Sequence, residues 1–510
     1  MKYLKLQTVF LFLIVSFTAC KKQDVSQPGG NVTVSNEHVI LNPYSPLTAS
    51  ILLETSVATK ISIRVVGKHE AESDVVKDFD EVSSAHNIPV LGLYADYDNT
   101  VELTFKDVSG LVLGSKSYSI KTSALPAATF PAITIDTKNV TLMARGMTLV
   151  SYFGYKDNPF PESPFIFDAS GDIRWYLDFR TSPVLNNLFF DDGMERLQNG
   201  DLYFGDIHSN AIYEIDFLGN IIDTWTFPGY QFHHNVQEKP NGNFLVTVSK
   251  QGNSTTEDYI IEIDRSTKQI IRTWDLHASL RYSRQTLTTN PDDWIHVNAV
   301  IYDASDNTII ISGRTQALVK LDENNNVVWI MGCHKGWGNS GNGIDLNNFL
   351  LQPLNKNDQP ITDQDVLDGY TNDPDFEWNW FQHAPLLMPN GNVMVFDNGG
   401  DNRNFSGAGQ YSRAVEFEIN TAHKTVKQIW AYGKERGAAT FSGIVSDVDF
   451  LSNDNHVIFS PGAVNNITIY GKVIELDYAT QNILFEATLT PPQSLYGITF
   501  HRTERLTLYL

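Results

Sequence analysis

From residue 32 to residue 122 apolar and polar positions alternate in short runs, such as 51–54, 60–66 and 100–105, each closed by Gly, Asp or Asn. A period of two sends every second side chain to the same face. The pattern predicts half-buried strands forming a small β-sandwich over 32–123. Residues 124–129, with Leu125-Pro126-Ala127-Ala128, read as the linker to a larger domain over 130–510.

The larger domain repeats. Five tight polar turns, at 197–202, 239–244, 303–308, 388–393 and 451–456, each precede an apolar strand. Each is followed by an apolar strand ending in an acid, a turn and an aromatic-rich strand, at 212–227, 260–276, 318–331, 414–432 and 473–489. An orphan second half lies at 165–179, and its partner is expected at the other end, where 501–510 reads as strand, a turn at Thr503-Glu504 and strand. The fold class predicted is therefore all-β, an N-terminal β-sandwich followed by a six-bladed β-propeller closed by pairing the C-terminal strands with an early strand. Such closure removes the exposed sheet edges of an open stack. The longest insertion, 333–380, is rich in Asn, Asp, Gly and Pro and is expected as a loop platform over one face.

Composition narrows the partners. The 510 residues are 42% hydrophobic and carry a net charge of −22, which repels nucleic acid and anionic membrane surfaces. Residues 1–19 read as a lipoprotein signal peptide: Lys2 and Lys5, an apolar run from Val9 to Val15, then Phe17-Thr18-Ala19 before Cys20. Cys20 is the expected lipidation site, residues 20–31 a polar tether, and the product an exported protein held to the cell envelope by its lipid anchor alone. Cys333 is the other cysteine, so an acylated Cys20 leaves no intrachain disulfide, and Cys333 reads as a small core residue.

Candidate chemistry comes from the strands that precede the polar turns, which in a propeller line the central channel. Nine residues before the closing Asn of successive turns stand His234, Asn298, His383 and Ser446. His296 lies two residues before Asn298, on the same side of that strand, and Arg314 lies on the next strand. Packing alone would select Val or Ile at such places. Several imidazoles with a guanidinium, and no carboxylate pair, reactive thiol or phosphate loop, suit a tetrahedral oxyanion. Transfer of a sulfuryl group needs a nucleophile, donors around three oxygens and an acid for a departing phenolate. Imidazole can fill the first and last roles, Arg and Asn the other.

The words around these residues are similar to those of the bacterial arylsulfate sulfotransferase family, which needs no nucleotide donor. They are Phe232-His233-His234-Asn235-Val236-Gln237, Trp294-Ile295-His296-Val297-Asn298, Ser312-Gly313-Arg314-Thr315-Gln316 and Gln382-His383-Ala384-Pro385. The resemblance continues through Trp329-Ile330-Met331-Gly332, Gly336-Trp337 and Val90-Leu91-Gly92-Leu93-Tyr94. It implies a β-sandwich before a six-bladed propeller, and a ping-pong reaction in which an aryl sulfate donates SO3 to a histidine that passes it to a phenol. It implies that His383 is the nucleophile and that His234, His296, Asn298 and Arg314 bind the anion and handle the proton, with the general acid open between His234 and His296. It implies a homodimer. A disulfide found in some members cannot form here, and Cys333 stands where the family more often has Pro. No cofactor and no metal is expected, and no Gly-rich loop for a nucleotide sulfate donor is present.

Three other readings compete. Converging histidines could ligate zinc or copper, although Arg314 would be repelled by a dication. A non-catalytic surface propeller could bind glycan or protein through Trp337, Trp378 and Trp380, which could equally cover an aromatic substrate. A quinone-dependent dehydrogenase would need a vicinal cysteine pair or repeated Trp-docking motifs, and the sequence has neither.

Overall fold

A computed structural model describes residues 32–510 except 70–72, 156–161, 190–192, 289, 401–402, 406–408, 466–467 and 493–496. The expected signal peptide and tether, and with them Cys20, lie outside the described residues.

Five strands form the N-terminal sheet: Val34–Leu41, Ala49–Val65, Val75–Val90, Asp98–Lys106 and Val112–Lys121. The long strand Ala49–Val65 pairs with Val34–Leu41 along its first half and with Asp98–Lys106 along its second, while Val75–Val90 follows its other edge throughout. Ala49, Ile51 and Leu53, then Ile61, Ile63 and Val65, point into the core, and the exposed residues 56–58 between them coincide with a register shift. One strand thus serves both halves of a curled sheet. Arg174, from the larger region, is buried against it and donates to the Gly92 and Ser73 carbonyls and to Asp168.

The larger region is built of antiparallel four-stranded units. Three are separate sheets: Glu195–Arg196 through Ile221–Thr226, Tyr230–Glu238 through Ile270–Asp275, and Val297–Asp303 through Val327–Met331. A fourth, His383–Leu387 through Thr425–Tyr432, gains Gln352–Leu354 from the long insertion as a parallel edge strand. The rest is a ten-stranded sheet, in which the Ile469–Gly497 pair joins two groups. One group runs from Asp447–Leu451 to Ile483–Thr490 and is flanked by Ala132–Lys138; the other comprises Gly497–Leu506, Met147–Tyr155, Phe165–Phe167 and Ile173–Tyr176. The expected count of six blades corresponds to taking these groups as two.

The expected closure is present, with a correction to its form. Residues 501–510 do not fold back at Thr503-Glu504. Gly497–Leu506 is one strand, and its antiparallel partner is Met147–Tyr155, immediately before the orphan half. Thr503 and Glu504 look like turn residues because they are polar, but Thr503 is buried against Ser460 and Glu504 lines a cavity between the innermost strands.

The aromatic-rich outer strands explain themselves in three dimensions. The indoles of Trp175, Trp225, Trp274 and Trp430 donate to the main-chain oxygens of Phe217, Arg265, Asp322 and Tyr478, each in a turn of the following unit. A buried indole supplies apolar area and one directed bond, so the repeat of Trp along the chain becomes a repeat of ties between sheets.

Candidate functional site

The first strands of successive units face one another around the interior, and several of them bulge at one level. Register shifts fall between Phe232 and Val236, Val297 and Ala299, His383 and Leu386, and Phe500 and Thr503. His234, His296 and Ala384 have φ of 56°, 50° and 46°. Left-handed backbone at a residue with a side chain costs about 1–3 kcal/mol, and it re-aims that side chain away from the ladder. The result is a layer of imidazoles from separate strands. The ring of His234 lies 4.7 Å from that of His296 and 6.2 Å from that of His501, and His501 lies 6.4 Å from His383.

Carboxylates that the sequence reading did not single out stand behind one side of the layer. Glu257 Oε2 accepts from His234 Nε2 at 3.1 Å and from His296 Nδ1 at 2.8 Å, while Asp293 Oδ2 lies 2.7 Å from the same His296 nitrogen. His233 also reaches Glu257, at 3.4 Å, but His234 is the neighbour of His296. Burial alone would push the Glu257 carboxyl up; the His234 and His296 rings overrule it and hold it well below the usual carboxylate range.

His383 is buried on the other side. Its Nδ1 donates to Asn398 Oδ1 at 2.7 Å and Phe381 O at 3.1 Å, and the Asn398 amide is oriented by donating to the Ser442 and Val445 carbonyls. Both partners of Nδ1 are acceptors, so the proton sits there and the Nε2 lone pair is left for other work. Burial, and then the nearby Arg314 charge, hold this imidazole neutral by pulling its pKa well below the ordinary histidine value. Gln382, just before it, is bound from the neighbouring unit: Asn298 Nδ2 donates to its carbonyl at 2.8 Å, and its side chain donates to Ser312 Oγ and Gly313 O.

Arg314 follows that same unit's second strand; its amide donates to His296 O, and its guanidinium lies 5.5 Å from the Phe381 ring. It borders a niche with Arg284, Trp380, Phe381 and Phe405. Trp337 and Trp378, the other expected aromatic contacts, are buried and spend their indole N–H on the Cys333 and Val366 carbonyls. Cys333 is buried beside Arg284, and burial raises its thiol pKa.

The structure thus brings His234, His296, His383 and Arg314 together. Asn298 is adjacent but uses its amide to fasten Gln382, and its Oδ1 is buried without a hydrogen-bond partner among the described residues. Ser446 does not offer a channel hydroxyl: its Oγ donates to Ser442 Oγ and accepts from Gly462 N. Glu257, Asp293, Asn398 and His501 were not anticipated. Asp293, three residues before His296, was within reach of the sequence. His501 has no Asn turn after it from which to count, and Glu257 and Asn398 carry no local signal.

Between the same strands, a cavity of about 440 Å³ is lined by Glu195, Asp447, Asp449, Arg502 and Glu504 among others. Burial raises Asp447 to about 7 and Glu504 to about 8. The ligand atoms of His234, Glu257 and His296 lie within 4.8 Å of one another, the composition of a metal site, but here they are hydrogen-bonded together.

Known proteins are similar to this chain over nearly its whole length. Arylsulfate sulfotransferase AssT of Escherichia coli O6:H1 is 27% identical over 92% of this chain and 93% of its own, and that of Lelliottia amnigena is 27% identical over 90% of each. Among solved structures, a protein of unknown function from Bacteroides caccae superposes loosely, with a TM-score of 0.40 at 10% identity over 70% of this chain and 99% of its own. The model of the arylsulfotransferase Ig-like domain matches residues 38–123, and that of Arylsulfotransferase (ASST) matches residues 133–496. A curled N-terminal sheet, a ring of four-stranded units and one layer of imidazoles beside an arginine are thus the body of an enzyme, and the chain belongs to the arylsulfotransferase family.

Proposed function

We propose that this enzyme moves a sulfuryl group from an aryl sulfate to a phenol through a sulfohistidine at His383. The observation that carries the reading is the pair of acceptors on His383 Nδ1, which leaves Nε2 as an unprotonated nucleophile. In the first half-reaction Nε2 attacks sulfur, an N–S bond forms and the bond from sulfur to the aryl oxygen breaks. In the second a phenol oxygen attacks the same sulfur and the N–S bond returns its electron pair to His383. Arg314, His234 and His296 serve as donors to the three remaining oxygens as charge spreads over them. Asn298 acts on His383 through Gln382, as a positioning residue. Trp380, Phe381 and Phe405, beside Arg314, suit the aryl ring.

Intact-mass spectrometry after brief exposure to 4-nitrophenyl sulfate tests this. The expected result is one added SO3, absent in His383→Asn and removed from the wild type by phenol. An adduct that persists in His383→Asn would reassign the nucleophile.

Export and lipid anchoring through Cys20 belong to the same proposal, since an aryl ester donor needs no cytoplasmic nucleotide. Incorporation of a labelled fatty acid, lost in Cys20→Ala, is the expected outcome.

A further inference from the structure

Transfer through His383 moves one proton twice. The departing aryl oxygen must gain it and the incoming phenol must lose it, so the donor in the first half is the acceptor in the second. His234 and His296 are poorly suited. His234 Nε2 and His296 Nδ1 both face Glu257, and His296 Nδ1 also faces Asp293. Carboxylate contacts at that range engage one nitrogen of each ring and fix its orientation, which suits an anion clamp.

His501 remains. It comes from the strand Gly497–Leu506 that closes the ring, at a bulge like those that present the other imidazoles. Its ring stands 6.4 Å from His383 and 6.2 Å from His234, so it borders the space where sulfur would sit. An in-line displacement puts the leaving oxygen across sulfur from His383 Nε2. An approach of about 3 Å, one S–O bond and a hydrogen bond of about 2.8 Å, bent at the oxygen, make a path compatible with ring centres 6.4 Å apart.

Resting on the sulfohistidine reading, we propose that His501 is a catalytic residue, the one that hands a proton to the departing phenolate and takes it back from the incoming phenol. When the bond between sulfur and the aryl oxygen breaks, the oxygen keeps the electron pair and receives the His501 proton, leaving neutral imidazole and neutral phenol. When the acceptor arrives, its hydroxyl proton goes to His501 as its oxygen attacks sulfur, and His383 recovers its lone pair.

The surroundings fit that duty. Burial, and then His234, His383, Arg502 and His296, disfavour charge on His501, so a proton placed there is readily given up. An aryl sulfate anion among these groups offsets the repulsion and lets His501 be charged when substrate is bound. Glu257 lies beyond His234, and the cavity between the same strands holds Glu195, Asp447, Asp449 and Glu504.

The test compares two donors in His501→Gln, which keeps a polar group but cannot carry the proton. Single-turnover formation of the His383 adduct is measured with phenyl sulfate, whose phenolate needs a proton, and with 4-nitrophenyl sulfate, whose phenolate leaves without one. The expected loss is on the order of 100-fold for phenyl sulfate and less than about 5-fold for 4-nitrophenyl sulfate. His501→Asn should behave alike, which separates lost proton exchange from a disturbed bulge. Equal losses with both donors, unchanged rates with both, or no adduct from either would overturn the proposal. A wild type that forms no adduct would instead overturn the sulfohistidine reading on which it stands.

Discussion

Asn398 Oδ1 accepts the His383 Nδ1 proton at 2.7 Å, and the same amide is tied on its other side to the Ser442 and Val445 carbonyls. The tautomer of the buried histidine is therefore set by a residue fifteen positions along the chain, on the next strand's end. Replacing Asn398 by Leu should let the ring turn or take its other tautomer, lowering the rate of adduct formation by on the order of 100-fold. Asn398→Asp keeps an acceptor and should recover part of that loss. Single-turnover mass spectrometry reads both.

Glu257 gathers His234 and His296 on one oxygen. Glu257→Gln removes the carboxylate that orients both rings, so kcat/KM with an aryl sulfate should fall about 10- to 100-fold, through a disturbed anion clamp. Its folded-state pKa is depressed, so its contribution to stability is present above the ordinary carboxylate pKa and is lost as pH falls through the depressed value. The difference in melting temperature between wild type and Glu257→Gln should therefore shrink as the pH is lowered below about 4.

The acids of the central cavity carry the opposite sign. Asp447 and Glu504 are raised by burial to about 7 and about 8, so the folded chain binds protons that the unfolded chain releases from about pH 4 upward. Stability should decline from that pH to about 8. Asp447→Asn should gain on the wild type over the range, by up to a few kcal/mol near pH 7. Chemical denaturation at a series of pH values measures it.

The metal reading has a direct check. The two imidazole nitrogens are spent on the Glu257 carboxylate, and Arg314 contributes a fixed positive charge to the same layer. Purified enzyme should contain far less than one equivalent of zinc or copper, and prolonged chelation should leave turnover unchanged. Stoichiometric metal whose removal stops turnover would favour the rival.

The indole ties should behave as independent ties of modest strength. Trp225→Phe and Trp274→Phe each remove a donor to the neighbouring unit's main chain, at Arg265 O and Asp322 O. Each should lower stability by about 1–3 kcal/mol, because a half-buried carbonyl loses its partner along with some packing of the buried indole. The double variant should lose close to the sum in equilibrium denaturation.

The architecture was legible because it repeats. Polar turns ahead of apolar strands, and Trp in the outer strands, recur often enough that the ring and the pairing of its two ends could be read from spacing. The histidines His234 and His383 were found because the bulges that present them hold a constant distance from the turn. The same reasoning misplaced Ser446, where the chain offers a hydroxyl to a loop, and misread Thr503-Glu504, where polarity reflects a cavity between the innermost strands. Glu257, Asn398 and His501 stayed hidden because their importance comes from what lies opposite them in space. Glu257 sits in a connection between strands, and His501 belongs to a strand with no turn beyond it.

The pairing of Met147–Tyr155 with Gly497–Leu506 also sets a timetable. The ribosome makes His234, His296 and His383 long before His501 and the strand that seals the ring. A nascent or prematurely terminated polypeptide thus holds most of the reactive groups without the enclosure that makes them useful. A cut ahead of Gly497 would unseal the ring and remove His501 together, so enclosure and the last imidazole of the layer arrive on one strand.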